Sequence, residues 1–184
     1  NSFPAETLYP VHRLDKITSG LVLIARNKTA AQRFGAMFES RLIQKTYIAL
    51  SDKKPSKKQG TISGDMQQTR DGNWKLLHSK KSPAITRFTS HSSAPNLRIF
   101  ILKPETGKTH QLRVMMKALG SPIIGDIRYG GTPSDRSYLH ATALKFDWSG
   151  EDITCLLPPT NGNLFNQAIT DVSRQLEAYA ESEY

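Results

Sequence analysis

Asp15 stands in a run of chemically able side chains, His12-Arg13-Leu14-Asp15-Lys16 with Thr18-Ser19-Gly20, directly before the apolar segment Leu21-Val22-Leu23-Ile24-Ala25. A loop that leads into a core strand can hold a carboxylate rigidly, as nucleophilic or proton-transfer chemistry at a fixed atom requires. By itself such an aspartate is also at home as a turn or capping residue. A second cluster, Gly107-Lys108-Thr109-His110-Gln111-Leu112-Arg113, sets a turn glycine and several basic and amide groups at the start of a helix. That arrangement suits phosphate contact, and it also fits an ordinary solvent-facing helix start. The common nucleotide and hydrolase signatures are missing from the sequence. It has no Gly-rich loop of the P-loop or Rossmann type, no GxSxG, and no His pair at metal-ligand spacing.

The patterning around these clusters predicts the frame that must hold them. Residues 21–25 read as a short buried strand, and Asn27 as the cap of a helix over 28–41 with Ala30, Phe34, Met37, Phe38 and Leu42 at helical spacing. Residues 45–50 return to strand-like alternation around Tyr47. The lysine-rich segment Lys53-Lys54-Pro55-Ser56-Lys57-Lys58 reads as a solvated loop or a phosphate-binding one. From Thr61 to Phe100, turn signals at 71–73, 82–83 and 95–96 separate short strands, and 97–102 forms another. A helix from Thr109 to Gly120 puts Leu112, Met115, Met116 and Leu119 on one face and His110, Arg113 and Lys117 on another. Residues 139–146 and 153–157 read as a closing pair of strands. The tail over 163–180 is amphipathic through Phe165, Ile169, Val172, Leu176 and Tyr179. The class this predicts is α+β, a mainly antiparallel mixed sheet flanked by helices.

The totals set the setting. Lys and Arg number 25 against 16 Asp and Glu, a net charge of +9 that favours a polyanionic partner through counterion release. A single cysteine, Cys155, allows neither an internal disulfide nor a CxxC metal cluster, which fits a reducing, cytoplasmic setting. No apolar run approaches the roughly 20 residues of a membrane helix, and the first ten residues lack the pattern of a signal peptide.

Four ordered blocks over residues 11–160 give the chain a specific likeness. His12-Arg13-Leu14-Asp15 with Thr18-Ser19-Gly20-Leu21 resembles the signature of the RluA-type pseudouridine synthases, in which the aspartate of Arg-Leu-Asp is catalytic. Arg41 with Lys45-Thr46-Tyr47-Ile48-Ala49 resembles the second motif of that family. Pro104-Glu105-Thr106-Gly107-Lys108-Thr109-His110-Gln111-Leu112-Arg113-Val114 resembles the third, with Gly125-Asp126 and Tyr129-Gly130 at the expected distance. Leu139-His140-Ala141 and Pro158-Pro159 are similar to its closing segment. The likeness implies one catalytic domain over 1–184, with the usual upstream strand and Lys-Pro-x-Gly turn lying before residue 1 and no S4 domain within it. One departure is Val114-Met115-Met116, where many relatives carry a histidine after the valine; it marks a subgroup.

The resemblance implies the chemistry. Pseudouridine formation breaks the C1′–N1 bond of a uridine, turns the base and rejoins it through C5. No redox step occurs, so no redox cofactor is expected, and the likeness implies no metal. Asp15 is expected to act as nucleophile or as the base of an elimination at C2′. Arg113 is expected to pair with it, and an opposite charge at hydrogen-bond distance favours an ionised carboxylate. Tyr47 matches the tyrosine that packs on the target uracil, and Arg13 the residue that fills the gap left by the flipped nucleotide. His12, Lys108 and His110 are read as RNA contacts or as structural groups. The expected partner is structured RNA, ribosomal or transfer, met by a monomer without an obligate protein partner or a membrane. The competing expectation is an RNA-binding module of the same fold that is catalytically silent.

Overall fold

Period-two alternation and apolar runs build a main sheet whose strands are drawn from residues 19–156. The computed structural model describes residues 7–181. Their strands are β1 (Tyr9–Pro10), β2 (Ser19–Gly20), β3 (Ile24–Ala25), β4 (Gln44–Ser51), β5 (Gln59–Gly64), β6 (Met66–Gln68), β7 (Trp74–Leu76), β8 (Ala84–Ala94), β9 (Leu97–Pro104), β10 (Leu139–Asp147) and β11 (Asp152–Leu156). The helices are α1 (Lys28–Glu39), α2 (Gln111–Ala118), α3 (Asn163–Gln167) and α4 (Ile169–Glu181), with a 3-10 turn at Ile127–Tyr129.

The main sheet runs β11-β10-β4-β9-β8-β5, antiparallel at every pairing along that path, and β2 adds to β10 in parallel. The predicted α+β class, with a mainly antiparallel mixed sheet and flanking helices, is the one observed. Ile48, Ala49 and Leu50 of β4 and Ile99 to Leu102 of β9 are buried consecutively, so both faces of the sheet centre are covered. They form one core with Leu112 and Met116 of α2 and with Phe165, Val172 and Leu176 of the C-terminal helices. Each large apolar side chain fully buried there contributes about 1.5–3 kcal/mol. β8 buries one face only, Ala84, Thr86, Phe88 and Ser90 alternating with less buried neighbours. A second cluster seats Phe34, Met37 and Phe38 of α1 on Leu144 and Phe146 of β10.

Local chemistry explains the boundaries. The Asn27 side chain accepts the Ala30 N–H at 2.8 Å and starts α1, as its type predicts. The predicted turns at 71–73, 82–83 and 95–96 fall between β6 and β7, before β8, and between β8 and β9.

Three expectations are corrected. Residues 21–25 are not one buried strand: Val22 and Ile24 are 42% and 51% exposed, and only Ile24 and Ala25 pair, with β1. The segment buries one side only: Leu21 and Leu23 pack against the second core cluster and Ala25 is buried, while Val22 and Ile24 face out. Helix α2 begins at Gln111 instead of Thr109, since His110 takes a left-handed φ of 55°. Arg113 is 5% exposed, because a buried carboxylate partner compensates its charge. In the tail, Ile169 is 40% exposed and departs from the apolar stripe, and the Tyr179 side chain lies outside the described residues.

Candidate active site

Asp15 is held at the wall of a cleft because its loop is bound at both stems. Its backbone carbonyl accepts the Thr18 N–H at 2.8 Å, so the residue does make a turn, while its side chain lines a cleft of about 600 Å³. His12 closes the loop: its Nε2 accepts the Leu23 N–H at 2.9 Å and its ring lies 4.8 Å from that of Phe38. At the other stem, Gly20 pairs with Ala141 of β10, which pairs with Tyr47 of β4, which pairs with Leu102 of β9. One row across four strands therefore sets the Asp15 loop beside Tyr47. The hydroxyl of Ser19 locks this row by accepting from Arg136 and bonding His140 Nδ1 at 2.8 Å.

Gly20 has φ +116°, and a Cβ there would land on the Ala141 carbonyl. Gly20→Ala is therefore expected to unseat the loop, lowering stability by roughly 2–4 kcal/mol. Thermal melting measures the loss, and a variant that melts like the parent would contradict the close approach.

Arg113 enters the cleft from α2. Its Nη1 donates to Asp15 Oδ2 at 3.5 Å, at the outer limit of a hydrogen bond. Its Nε and Nη2 donate to both oxygens of Asp126, at 2.7 and 2.8 Å. The strong bidentate partner is thus Asp126, with its side chain 1% exposed, while that of Asp15 is 23% exposed. The guanidinium also sits over the Tyr129 ring at 4.8 Å. Burial alone pulls the Arg113 pKa down, but Asp126 and Asp15 outweigh it and raise it, so the cation is permanent. One cation between two carboxylates leaves a net negative charge, and the weaker bond leaves Asp15 the more available of the two.

Tyr47 is half-buried in the same cleft. Burial, and then the charge of Asp15, push its phenol up to about 12. It stays protonated at neutral pH and faces a ligand as an aromatic surface with a hydroxyl.

The loop before α2 is held by Gln111, 4% exposed. Its Oε1 accepts from Thr106 Oγ1 at 2.8 Å and from the Lys108 N–H at 3.0 Å. Its amide donates to the Ile85 carbonyl at 3.0 Å. Lys108 and His110 line the cleft, with Lys108 Nζ 3.2 Å from Ser82 Oγ and His110 Nδ1 sharing a 2.8 Å hydrogen bond with the Tyr129 hydroxyl. Arg13 is exposed and also lines the cleft. All seven residues singled out in the sequence thus line one cleft or, for Arg113, bond into it.

Sequence reasoning missed Asp126 and Lys45. Asp126 was visible as the polar half of Gly125-Asp126, but nothing in its spacing revealed a grip on Arg113. Lys45 lines the cleft, and burial followed by the charge of Arg41 lowers its pKa.

Three histidines share one electrostatic feature. Burial holds His12, His110 and His140 below the usual histidine range, helped by Lys45 at His12, by Arg113 at His110 and by Arg136 at His140. The unfolded chain then binds these protons first, so stability falls as pH drops below about 6.5 toward the lowered values. His12 makes the reason concrete, since its Nε2 must stay bare to accept the Leu23 N–H. The melting temperature is expected to be lower at pH 5.5 than at pH 7.5; equal values would contradict the bonding assigned here.

The model of the RNA pseudouridylate synthase family matches residues 2–118, and the chain belongs to that family of isomerases. An uncharacterized RNA pseudouridine synthase of Haemophilus influenzae is 53% identical over 171 residues, spanning 92% of this chain and 75% of its own length. The ribosomal large subunit pseudouridine synthase C of Rickettsia bellii is 37% identical over 147 residues, which cover 71% of this chain and 46% of the relative. This chain therefore spans under half of that relative. Among solved structures, human RNA pseudouridylate synthase domain containing 1 superposes with a TM-score of 0.72 at 29% identity, covering 83% of this chain and 69% of the other.

Proposed function

We propose that the protein isomerises a uridine of ribosomal or transfer RNA to pseudouridine, with Asp15 as the carboxylate that meets C1′ or the C2′ proton of a flipped nucleotide. The observation that carries this reading is the one-cation, two-carboxylate arrangement at the cleft. Arg113 is locked by Asp126 and offers Asp15 only a 3.5 Å contact. A volume of about 600 Å³ lies in the range of ligand pockets and accommodates one nucleotide. Extruding that nucleotide costs a few kcal/mol, and exposed Arg13 is the side chain we place in the gap it leaves.

The reaction is balanced within the substrate. The C1′–N1 bond breaks, the uracil turns against the Tyr47 ring, C1′ bonds to C5, the C5 proton leaves and N1 regains a proton. The relatives named for the large ribosomal subunit support ribosomal RNA as the first substrate to try. The net charge of +9 supports a structured polyanion as partner. The test is tritium release from C5-tritiated uridine in a large-subunit ribosomal RNA transcript and in a transfer RNA pool. Release from one of them is expected, and none from either would overturn the reading.

A further inference from the structure

Beside the catalytic cleft lies a second recess of about 410 Å³. Asp65, Met66 and Trp74 around the β6–β7 hairpin line it, with Lys81, Ser82 and the loop 107–109. That loop also lines the catalytic cleft, so the two hollows meet across three residues, which span at most about 10 Å. Neighbouring nucleotides of one strand reach both.

The recess is built around an aromatic surface that the fold itself does not use. Among the described residues Trp74 stacks on no other ring, unlike Trp148, which stacks on Phe34 at 4.6 Å. The hairpin is instead fixed through its backbone and turn. The Trp74 N–H donates to the Tyr129 hydroxyl at 3.2 Å, and Arg128 donates to the Gly72 carbonyl at 2.6 Å and to Asn73 Oδ1. The indole is thereby held in place, half-buried, with its uncovered part at the recess. The carboxylate of Asp65 is occupied by the Lys81 and Ser82 N–H groups at 3.0 and 2.8 Å. The Lys108 ammonium bonds only the neutral Ser82 Oγ, at 3.2 Å, and the Lys81 ammonium stands near the Asp65 charge, so the recess carries two cations against one carboxylate.

An aromatic face flanked by two lysines, in a recess of ligand size, is the pairing that recognises an unstacked nucleotide: a π-surface for any base and cations for its phosphate. We propose that the recess is a second nucleotide site. It takes an unpaired nucleotide of the substrate RNA close to the flipped uridine, with its base on Trp74 and its phosphate between Lys81 and Lys108. The proposal rests on the isomerase reading for its substrate, and its first test does not depend on turnover.

The sequence holds two tryptophans, so Trp148→Phe leaves Trp74 as the sole indole reporter. Titrating this protein with a pentanucleotide of adenosine is expected to quench its fluorescence, and inorganic triphosphate is expected to leave it unchanged. No quenching by the pentanucleotide, or equal quenching by triphosphate, overturns the site. On an RNA that releases tritium, Trp74→Ala is expected to raise KM roughly five- to a hundredfold with kcat unchanged, and Trp74→Tyr to restore KM. A fall in kcat that Trp74→Tyr does not rescue would make Trp74 a structural residue only. Absence of tritium release by the parent protein would count against the isomerase reading and leave the quenching result to stand by itself.

Discussion

Asp15→Ala is expected to cut tritium release from C5-labelled uridine by at least about a thousandfold while RNA binding stays within a few-fold of the parent. The magnitude follows from what is removed. The other carboxylates at hand are differently placed: Asp126 is 1% exposed with both oxygens bound by Arg113, Glu105 of the cleft wall is bonded to Arg87 at 2.6 Å, and Glu39 lies at the far end of α1. Binding is spared because the cations around the cleft, Arg13, Lys45 and Lys108 among them, are untouched. Asp15→Asn separates charge from shape, since the amide keeps the size and the Arg113 contact but is a poor nucleophile and base. Both variants should therefore fail alike. Turnover surviving in Asp15→Ala would end the proposed mechanism; turnover surviving only in Asp15→Asn would reassign the side chain to positioning.

Asp126→Ala is expected to damage the protein almost as deeply by another route. It strips both short bonds from a guanidinium that is 6% exposed, leaving a buried cation whose nearest anion is Asp15 at 3.5 Å. Breaking a buried pair from one side costs about 3–5 kcal/mol, which lowers the melting temperature of a domain this size by roughly 10 °C. The freed Arg113 then has every electrostatic reason to close on Asp15 and neutralise it. Melting and tritium release should fall together, with RNA binding much less affected. Asp126→Asn, which keeps one acceptor, is expected to fall between parent and Ala in stability. An Asp126→Ala protein that melts and turns over like the parent would contradict the role assigned to the pair.

Local signals in the chain carry much of this structure. Asn27 as cap, the turns at 71–73 and 95–96, the strand around Tyr47 and the apolar face of Leu112, Met115 and Met116 all follow from side-chain type and period, because those features are decided within a few residues. The same reasoning misread residues 21–25. Their apolar character says that they prefer burial, but which of them face the core is decided by what packs on the segment: the second cluster takes Leu21 and Leu23, and only Ile24 and Ala25 find a strand partner, in β1. The site divides in the same manner. Asp15, Tyr47 and Arg113 are marked by ordered motifs, and the structure brings them to one cleft. Asp126 was hidden because its meaning is a distance to Arg113, and helical period does not report which neighbour neutralises a charge.

The two-residue parallel pairing of β2 with β10 also fixes an order of events during synthesis. Ser19 meets His140 across 121 positions, and Asp15 meets Arg113 across 98. As the chain is made, Asp15 emerges before the strands of the main sheet and waits for β10 before its loop has its docking partner. Contacts of such long separation form late, after loop-closure entropy has been overcome. The cleft that Asp15 lines is accordingly incomplete until β10 is in place.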